Sequence, residues 1–226
     1  FDLTVAKTGL SEREAIAEGY SPLVLYVQPG HHAGYYPGSK PLYIKTVTER
    51  ESGRLLGAQV IGEEGVDKRV DVFATAIYHQ MRLEDLLQLD LAYAPPYSAA
   101  RDPVIVAGAL SQNYYQDDWD PISPHELKAK MDGGESFVLV DVRTRLELQE
   151  RGPLPGALHI PIDLLRRQLQ KLDPEKETIL YCAQGLRSYL GNRILVMRGF
   201  KHVRTLSGGL DNWMYEGDSA AAHSAD

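Results

Sequence analysis

The run FVLVDV, Phe137 to Val142, is apolar throughout except at Asp141. A strand with no polar face has to be covered on both sides, the condition of a buried parallel sheet. The same half of the chain repeats the signal in shorter form, in LHI, TILYC and HVRTL. Between these runs lie DLLRRQLQKL and RSYLGNRILVMRG, which read as helices. Strands alternating with helices predict a parallel α/β sheet. The alternation begins after SPHE, Ser123 to Glu126, a capping box with proline in the first turn. ELKAKMDGG is therefore read as a helix ended by glycine.

Upstream the pattern changes. SEREAIAEG carries a second capping box, Ser11 with Glu14, and predicts a short helix. PLVLYV, Pro22 to Val27, is a strand that runs into PGHHAGYYPGSKP, a loop dense in glycine and proline. LYIKTVT (Leu42 to Thr48) and RLLGAQVIG (Arg54 to Gly62), joined by RESG, predict a hairpin. Val66, Val70, Phe73, Ile77 and Met81 fall at helical spacing and predict an amphipathic helix against the sheet. LEDLLQL continues as a short helix. The prolines of YAPPYSAARDP exclude regular structure there, and PVIVAGALSQNYY is a helix with Pro103 in its first turn.

The expected organisation is an α+β domain over residues 1–115, with an antiparallel sheet and helices, followed by a linker at 116–121. An α/β domain with a parallel sheet then occupies 122–216, and a frayed tail 217–226. The linker rests on QDDWDPISP, which is polar and proline-punctuated, and the tail on GDSAAAHSAD. FDLTVAKTGL has no initiator methionine and no signal-peptide pattern, and reads as a cut inside a longer protein.

A net charge of −7 argues against non-specific nucleic-acid or anionic-membrane partners, and no apolar run is long enough to span a bilayer. A single cysteine excludes an intramolecular disulfide framework and suits a reducing compartment, so a cytoplasmic location is expected.

That cysteine, Cys182, stands in YCAQGLRS, where a strand's C-terminal end feeds a tight loop and then a helix. In open α/β sheets ligands bind at such junctions. Gly185 permits the loop to curl back with its amides inward, the helix start adds positive potential, and Arg187 adds a full charge. All three favour a thiolate. The bland alternative is a small buried hydrophobe closing a strand. Asp141 and Arg143 are read as a loop-holding pair rather than as catalytic groups. Trp213 and the Gly208–Gly209 pair are read as core and turn.

With these pieces in place, the second half resembles a rhodanese (sulfurtransferase) domain. The resemblance rests on VLVDVR (Val138 to Arg143), GPLPGALHIP (Gly152 to Pro161), YCAQGLRS, RGF (Arg198 to Phe200) and LSGGLDNW (Leu206 to Trp213), in family order. It implies that Cys182 is the nucleophile that carries a sulfane sulfur as a persulfide between a small-molecule donor and a thiol acceptor. It further implies that the loop amides of Ala183, Gln184, Gly185, Leu186 and Arg187 stabilise that persulfide. The family's usual G-H-I-P-G-A reads Gly152-Pro153-Leu154-Pro155-Gly156-Ala157 here. Cysteine-dependent phosphatases use a loop one residue longer between cysteine and arginine and are a distant alternative. A non-catalytic docking module is the nearer one.

The first half resembles the dimerisation domain of pyridine-nucleotide disulfide oxidoreductases, in the coenzyme A-disulfide reductase branch that carries a fused rhodanese domain. GRLLGAQVIGEEGVDKRVDVFATAI (Gly53 to Ile77) and LDLAYAPPYSAARDPV (Leu89 to Val104) carry this resemblance. It implies a homodimer through residues 1–115, and FAD, NAD(P)H and coenzyme A as groups of a full-length reductase of coenzyme A disulfide, persulfide or polysulfide. No G-x-G-x-x-G follows a strand, so no FAD or NAD(P)H site is visible in this sequence. The resemblance also places two tyrosines near the partner subunit's substrate. Tyr35 and Tyr93 are the best matches, with Tyr36 and Tyr97 as neighbours. His31 and His32 are loop residues with no second ligand cluster, so no metal is expected.

Overall fold

The structure, a computed structural model, describes residues 2–116 and 119–213. It forms two compact units that divide between residues 118 and 119. The tail expected at 217–226 lies outside the described residues.

The first unit is a four-stranded antiparallel sheet in the order β1-β4-β3-β2 with helices packed on it. Its strands are β1 (Thr4–Gly9), β2 (Pro22–Val27), β3 (Leu42–Glu49) and β4 (Leu55–Gly62). β1 falls in the opening segment, which the sequence left unassigned; its exposed Thr4, Val5 and Lys7 hide the strand pattern, and pairing with β4 creates it. α1 (Glu12–Ala17) starts on the reciprocal Ser11–Glu14 capping box. The chain between Leu83 and Gln88 is a 3-10 turn rather than an α-helix, and α3 (Pro103–Gln116) follows the irregular proline-rich stretch.

α2 (Val66–Tyr78) ends before Met81, and its buried face runs through Val66, Arg69, Phe73 and Ala76. Arg69 was not expected there. Its guanidinium, 1% exposed at the residue level, donates to Asp102 Oδ2 at 3.0 Å, to the His31 carbonyl at 2.8 Å and to Ser98 Oγ at 3.2 Å. An arginine is tolerated on an apolar helix face only when its charge is paired and its donors are satisfied. This network joins α2 to the loop after β2 and to the loop before α3. Ala33 N reinforces the joint by donating to Ser98 O at 3.1 Å.

The second unit is a five-stranded parallel sheet in the order β5-β9-β8-β6-β7. The strands are β5 (Asp120–Ile122), β6 (Val138–Asp141), β7 (Leu158–His159), β8 (Thr178–Tyr181) and β9 (Val203–Leu206). The helices are α4 (Pro124–Asp132), α5 (Arg145–Glu150), α6 (Ile162–Leu165) and α7 (Leu186–Val196). One core of Val140, Ile160, Leu165, Leu180, Leu195 and neighbours fills one face, and a second with Ile122, Leu127, Ile179, Leu206 and Trp213 fills the other. The doubly apolar reading of FVLVDV is realised in this way.

Three expectations are corrected. The stretch assigned to a linker at 116–121 contains Asp120 and Pro121 of β5, paired to β9, and the buried Trp119, whose Nε1 donates to Thr205 Oγ1 at 2.7 Å. Pro121 suggested a break, but β5 is an edge strand, where a missing donor costs nothing. DLLRRQLQKL is not one helix: α6 ends at Leu165, and a 3-10 turn covers Leu169–Lys171. At SPHE only half of the box forms. Ser123 Oγ accepts from Glu126 N at 3.1 Å, while the Glu126 carboxylate accepts from Arg204 Nη1 at 2.6 Å.

The Arg69–Asp102 pair yields a stability prediction. Burial pushes the Asp102 carboxyl up, but hydrogen bonds from the Val104 amide, Ser98 and Arg69 outweigh it and hold the pKa below the ordinary aspartate value. A lowered native pKa adds stability that is present above the unfolded value, about pH 4, and is lost as pH falls through the native one. Asp102→Ala should cost about 3–5 kcal/mol in urea unfolding at pH 7, because it strands a buried cation. The gap from the parent should narrow as pH is lowered below 4.

Candidate active site

Parallel pairing aligns the C-terminal ends of the central strands. Asp141 of β6 lies opposite Tyr181 of β8, and His159 of β7 opposite Asp141. Cys182 is the first residue beyond β8, so it leaves the sheet at the edge where loops from β6 and β9 also emerge. The loop then turns directly into α7.

Gly185 makes that turn. Its φ of +109° is a conformation that residues with a Cβ rarely adopt, and it brings the Gly185 amide to 3.1 Å from Cys182 Sγ. Among the five loop residues implied as persulfide donors, this is the amide already on the sulfur. The first amides of α7, those of Leu186 and Arg187, have no acceptor within the helix by construction and lie at the same end. Ser188 Oγ stands 3.8 Å from the sulfur and donates its proton to Gly185 O at 2.8 Å. With that proton committed, Ser188 offers the sulfur a lone pair and so can accept an S–H. Cys182 itself is only 1% exposed and packs with Val142, Ile160 and Leu180, whereas Gln184 and Leu186 at the loop's crest are exposed.

The loop is held from below by LSGGLDNW. Leu210 N donates to Cys182 O at 2.8 Å and Asp211 N to Ala183 O at 2.9 Å. Gly209, at φ +64° and ψ −162°, makes this approach possible. A Cβ there would lie 2.4 Å from Ala183 O and 2.6 Å from Cys182 O. The sequence reading of the Gly208–Gly209 pair as a turn missed this role; the LSGG placed immediately after a strand was the available signal.

A second brace comes from α5. Thr144 and Glu147 form a reciprocal capping box, and the Glu147 carboxylate also grips Arg187 in a two-pronged pair, Oε2 to Nη1 at 2.6 Å. The Arg187 bond, with the Thr144 amide and hydroxyl, lowers the Glu147 carboxyl to about 2 against the cost of burial. Glu147 in turn raises the Arg187 guanidinium, with a further push from Cys182. Arg187 thus reaches the cysteine's neighbourhood with its charge already half-committed. α5 is fixed by Arg143, whose guanidinium pairs with Asp141 at 2.6 Å and caps the carbonyls of Arg151 and Gly152 at 2.9 and 3.1 Å. Asp141 and Arg143 therefore hold loops. Glu147, which braces the cysteine loop through Arg187, is another contact the sequence reading missed.

In the first unit, the hydroxyls of Tyr35 and Tyr93 lie 3.2 Å apart although 58 residues separate them. Both rings are exposed, 77% and 50%. Hydrogen bonding to Tyr35 raises the Tyr93 phenol pKa. Tyr36 packs edge-on against His32 and the Tyr97 carbonyl accepts from Arg69, yet both residues also remain exposed, 43% and 72%. His31 and His32 are buried. Lys40 N donates to His31 Nδ1 at 2.9 Å, and His32 Nδ1 meets Ala33 O at 3.0 Å. Among the described residues no group of three or more His, Cys, Asp or Glu could hold a metal, and no helix is long and apolar enough to cross a membrane.

Residues 1–104 match the profile of the pyridine nucleotide-disulphide oxidoreductase dimerisation domain, and residues 123–216 that of the rhodanese-like domain. The chain therefore carries a dimerisation domain of that oxidoreductase class followed by a rhodanese-like domain. Coenzyme A disulfide reductase of Staphylococcus epidermidis is 38% identical over 112 residues, half of this chain and 25% of that protein. The NAD(P)H sulfur oxidoreductase (CoA-dependent) of Pyrococcus furiosus is 40% identical over 105 residues, 46% of this chain and 24% of that protein. The chain thus matches about a quarter of the length of these curated relatives. Among solved structures, reduced Bacillus anthracis CoADR-RHD is 39% identical with a TM-score of 0.88, covering 94% of this chain and 38% of the other. A NAD-dependent persulfide reductase from A. fulgidus is 38% identical with a TM-score of 0.82 over the same shares.

Gly209→Ala is expected to cost about 1–3 kcal/mol from the glycine-only conformation alone, plus the displacement of two loop carbonyls. Alkylation of the buried Cys182, measured at a temperature where circular dichroism shows the variant folded, should run well above the parent rate as the loop loses its floor. An unchanged rate would mean the loop does not depend on that floor.

Proposed function

We propose that the second domain is a sulfurtransferase that works through a Cys182 persulfide. The reading is carried by the Gly185 amide 3.1 Å from Sγ, in a loop pinned on both flanks. The Cys182 thiolate attacks the outer sulfur of a sulfane donor, R–S–S⁻. A new S–S bond forms between Cys182 Sγ and that outer sulfur, the donor's own S–S bond breaks, and RS⁻ departs with its electron pair to take a proton from solvent. An acceptor thiolate then attacks the outer sulfur, and Cys182 leaves as thiolate. No electrons are gained or lost overall. Gly185 and the helix-start amides stabilise the sulfur bearing negative charge, the preorganised arrangement expected of a site for a developing anion.

In this reading the chain is the C-terminal portion of an FAD-dependent NAD(P)H reductase of coenzyme A disulfide, persulfide or polysulfide, acting as a cytoplasmic homodimer through residues 1–115. What supports it is the domain order together with relatives named for these activities. The chain's own residues offer no glycine-rich dinucleotide fingerprint, so FAD and NAD(P)H would be held by other residues, and the transfer steps above do not pass through them. The Tyr35–Tyr93 pair would face the reductase's substrate, where a phenol can donate to a leaving thiolate.

The 1% exposure of Cys182 favours one competing reading, a docking module whose cysteine is merely packed. Cyanolysis with thiosulfate and with organic persulfides decides between them. Thiocyanate release by the parent and none by Cys182→Ala, with a single-sulfur mass gain on Cys182 after donor treatment, is the expected result. Equal rates, or no mass gain, would leave the docking module.

A further inference from the structure

A groove of about 580 Å³ lies between α6 and α7. Four arginines line it, Arg166, Arg187, Arg193 and Arg198, against a single acid, Asp163. In a chain of net charge −7 this is a concentration of positive charge against the prevailing sign. Arg187 is paired with Glu147, but Arg166 and Arg198 are exposed and make no side-chain hydrogen bond or ion pair with another described residue. Between the charges the lining is apolar: Ile162, Leu190, Ile194 and Met197. Residues 187, 190, 194 and 197 recur at helical spacing and so form one stripe along α7. From Arg187 to Arg198 the stripe is about 16 Å long at the rise of a helix. Leu190 and Met197 on it are substantially exposed, 47% and 79%.

This is the lining for an elongated ligand with an apolar arm and several anionic groups. Planar guanidinium donors match phosphate oxygens two at a time. One end of the stripe is Arg187, five residues from Cys182 and electrostatically coupled to it. We propose that the groove docks a thiol or persulfide substrate that bears phosphate groups, phosphates toward Arg166 and Arg198 and sulfur toward the Cys182 loop. The proposal deepens the sulfurtransferase reading and rests on it for the delivery of sulfur. The transfer is the exchange already balanced above, with the phosphate-bearing thiol as RS⁻ or as acceptor. Small unphosphorylated donors would react without using the groove.

Coenzyme A and pantetheine share a thiol arm and differ in their phosphate groups, which makes them a matched pair of probes. Calorimetric titration into the Cys182→Ala chain, which cannot exchange sulfur, should show coenzyme A binding about tenfold or more tighter than pantetheine. That is the scale of one or two charge-assisted hydrogen bonds. The advantage should shrink with added salt. Arg166→Glu with Arg198→Glu should bring coenzyme A down to the pantetheine level, and Arg→Lys at both should restore part of it. With Cys182 intact, the same charge reversal should raise KM for coenzyme A persulfide about tenfold and leave thiosulfate cyanolysis unchanged, which also reports a folded domain. Equal affinity for the two probes, or coenzyme A binding indifferent to the reversal, overturns the groove even if Cys182 transfers sulfur. Arginine-dependent binding without any Cys182 persulfide would instead overturn the sulfur chemistry.

Discussion

The second domain turns on two backbone hydrogen bonds. Leu210 and Asp211 present their amides to the carbonyls of Cys182 and Ala183, and that contact sets where the loop lies once it leaves β8. Everything proposed for the cysteine follows from it. The loop cannot relax into the sheet's axis, so it bends, and Gly185 absorbs the bend at φ +109° with its amide on the sulfur. Two glycines with different tasks thus build the site: one gives up its Cβ so that backbones can meet, the other takes a conformation that side chains resist.

The charged groups are arranged around this frame in a chain of dependence. Asp141 secures Arg143, Arg143 secures the carbonyls at the end of α5, and α5 presents Glu147 to Arg187. Each pair is closed by good geometry, which is what keeps buried or half-buried ions from destabilising a fold. The first domain uses the same device once, at Arg69 and Asp102, to join the two loops that carry Tyr35 and Tyr93. In the second domain one such pair, Arg187 with Glu147, reaches the cysteine loop itself, while Asp141 with Arg143 stands behind it.

Much of this was legible in the sequence, for identifiable reasons. Strand runs without a polar face announced the parallel sheet, and the cysteine at a strand–glycine–helix junction marked the candidate site. Tyr35 and Tyr93 came from a resemblance that did not pair them, so the 3.2 Å between their hydroxyls was not legible in the sequence. What stayed hidden was set by contacts distant in sequence. Glu147 lies 40 residues from Arg187 and looks like any surface glutamate, while Gly209 looks like an ordinary turn glycine until the carbonyl of Ala183 is placed against it. Arg69 was masked by its apolar neighbours on α2, since periodicity records the face and says nothing of a charge neutralised from another loop. The edge strand β5 was masked by Pro121, because local propensity cannot tell an edge from an interior position.

The floor beneath the cysteine is supplied by residues 209–211, close to the C-terminal end of the described chain, while the sheet it caps begins at Asp120. During synthesis β6, β8 and α7 emerge well before that floor does. The thiol's setting is therefore completed only when residues 209–211 have left the ribosome, and until then the nascent domain holds a cysteine whose loop has no floor.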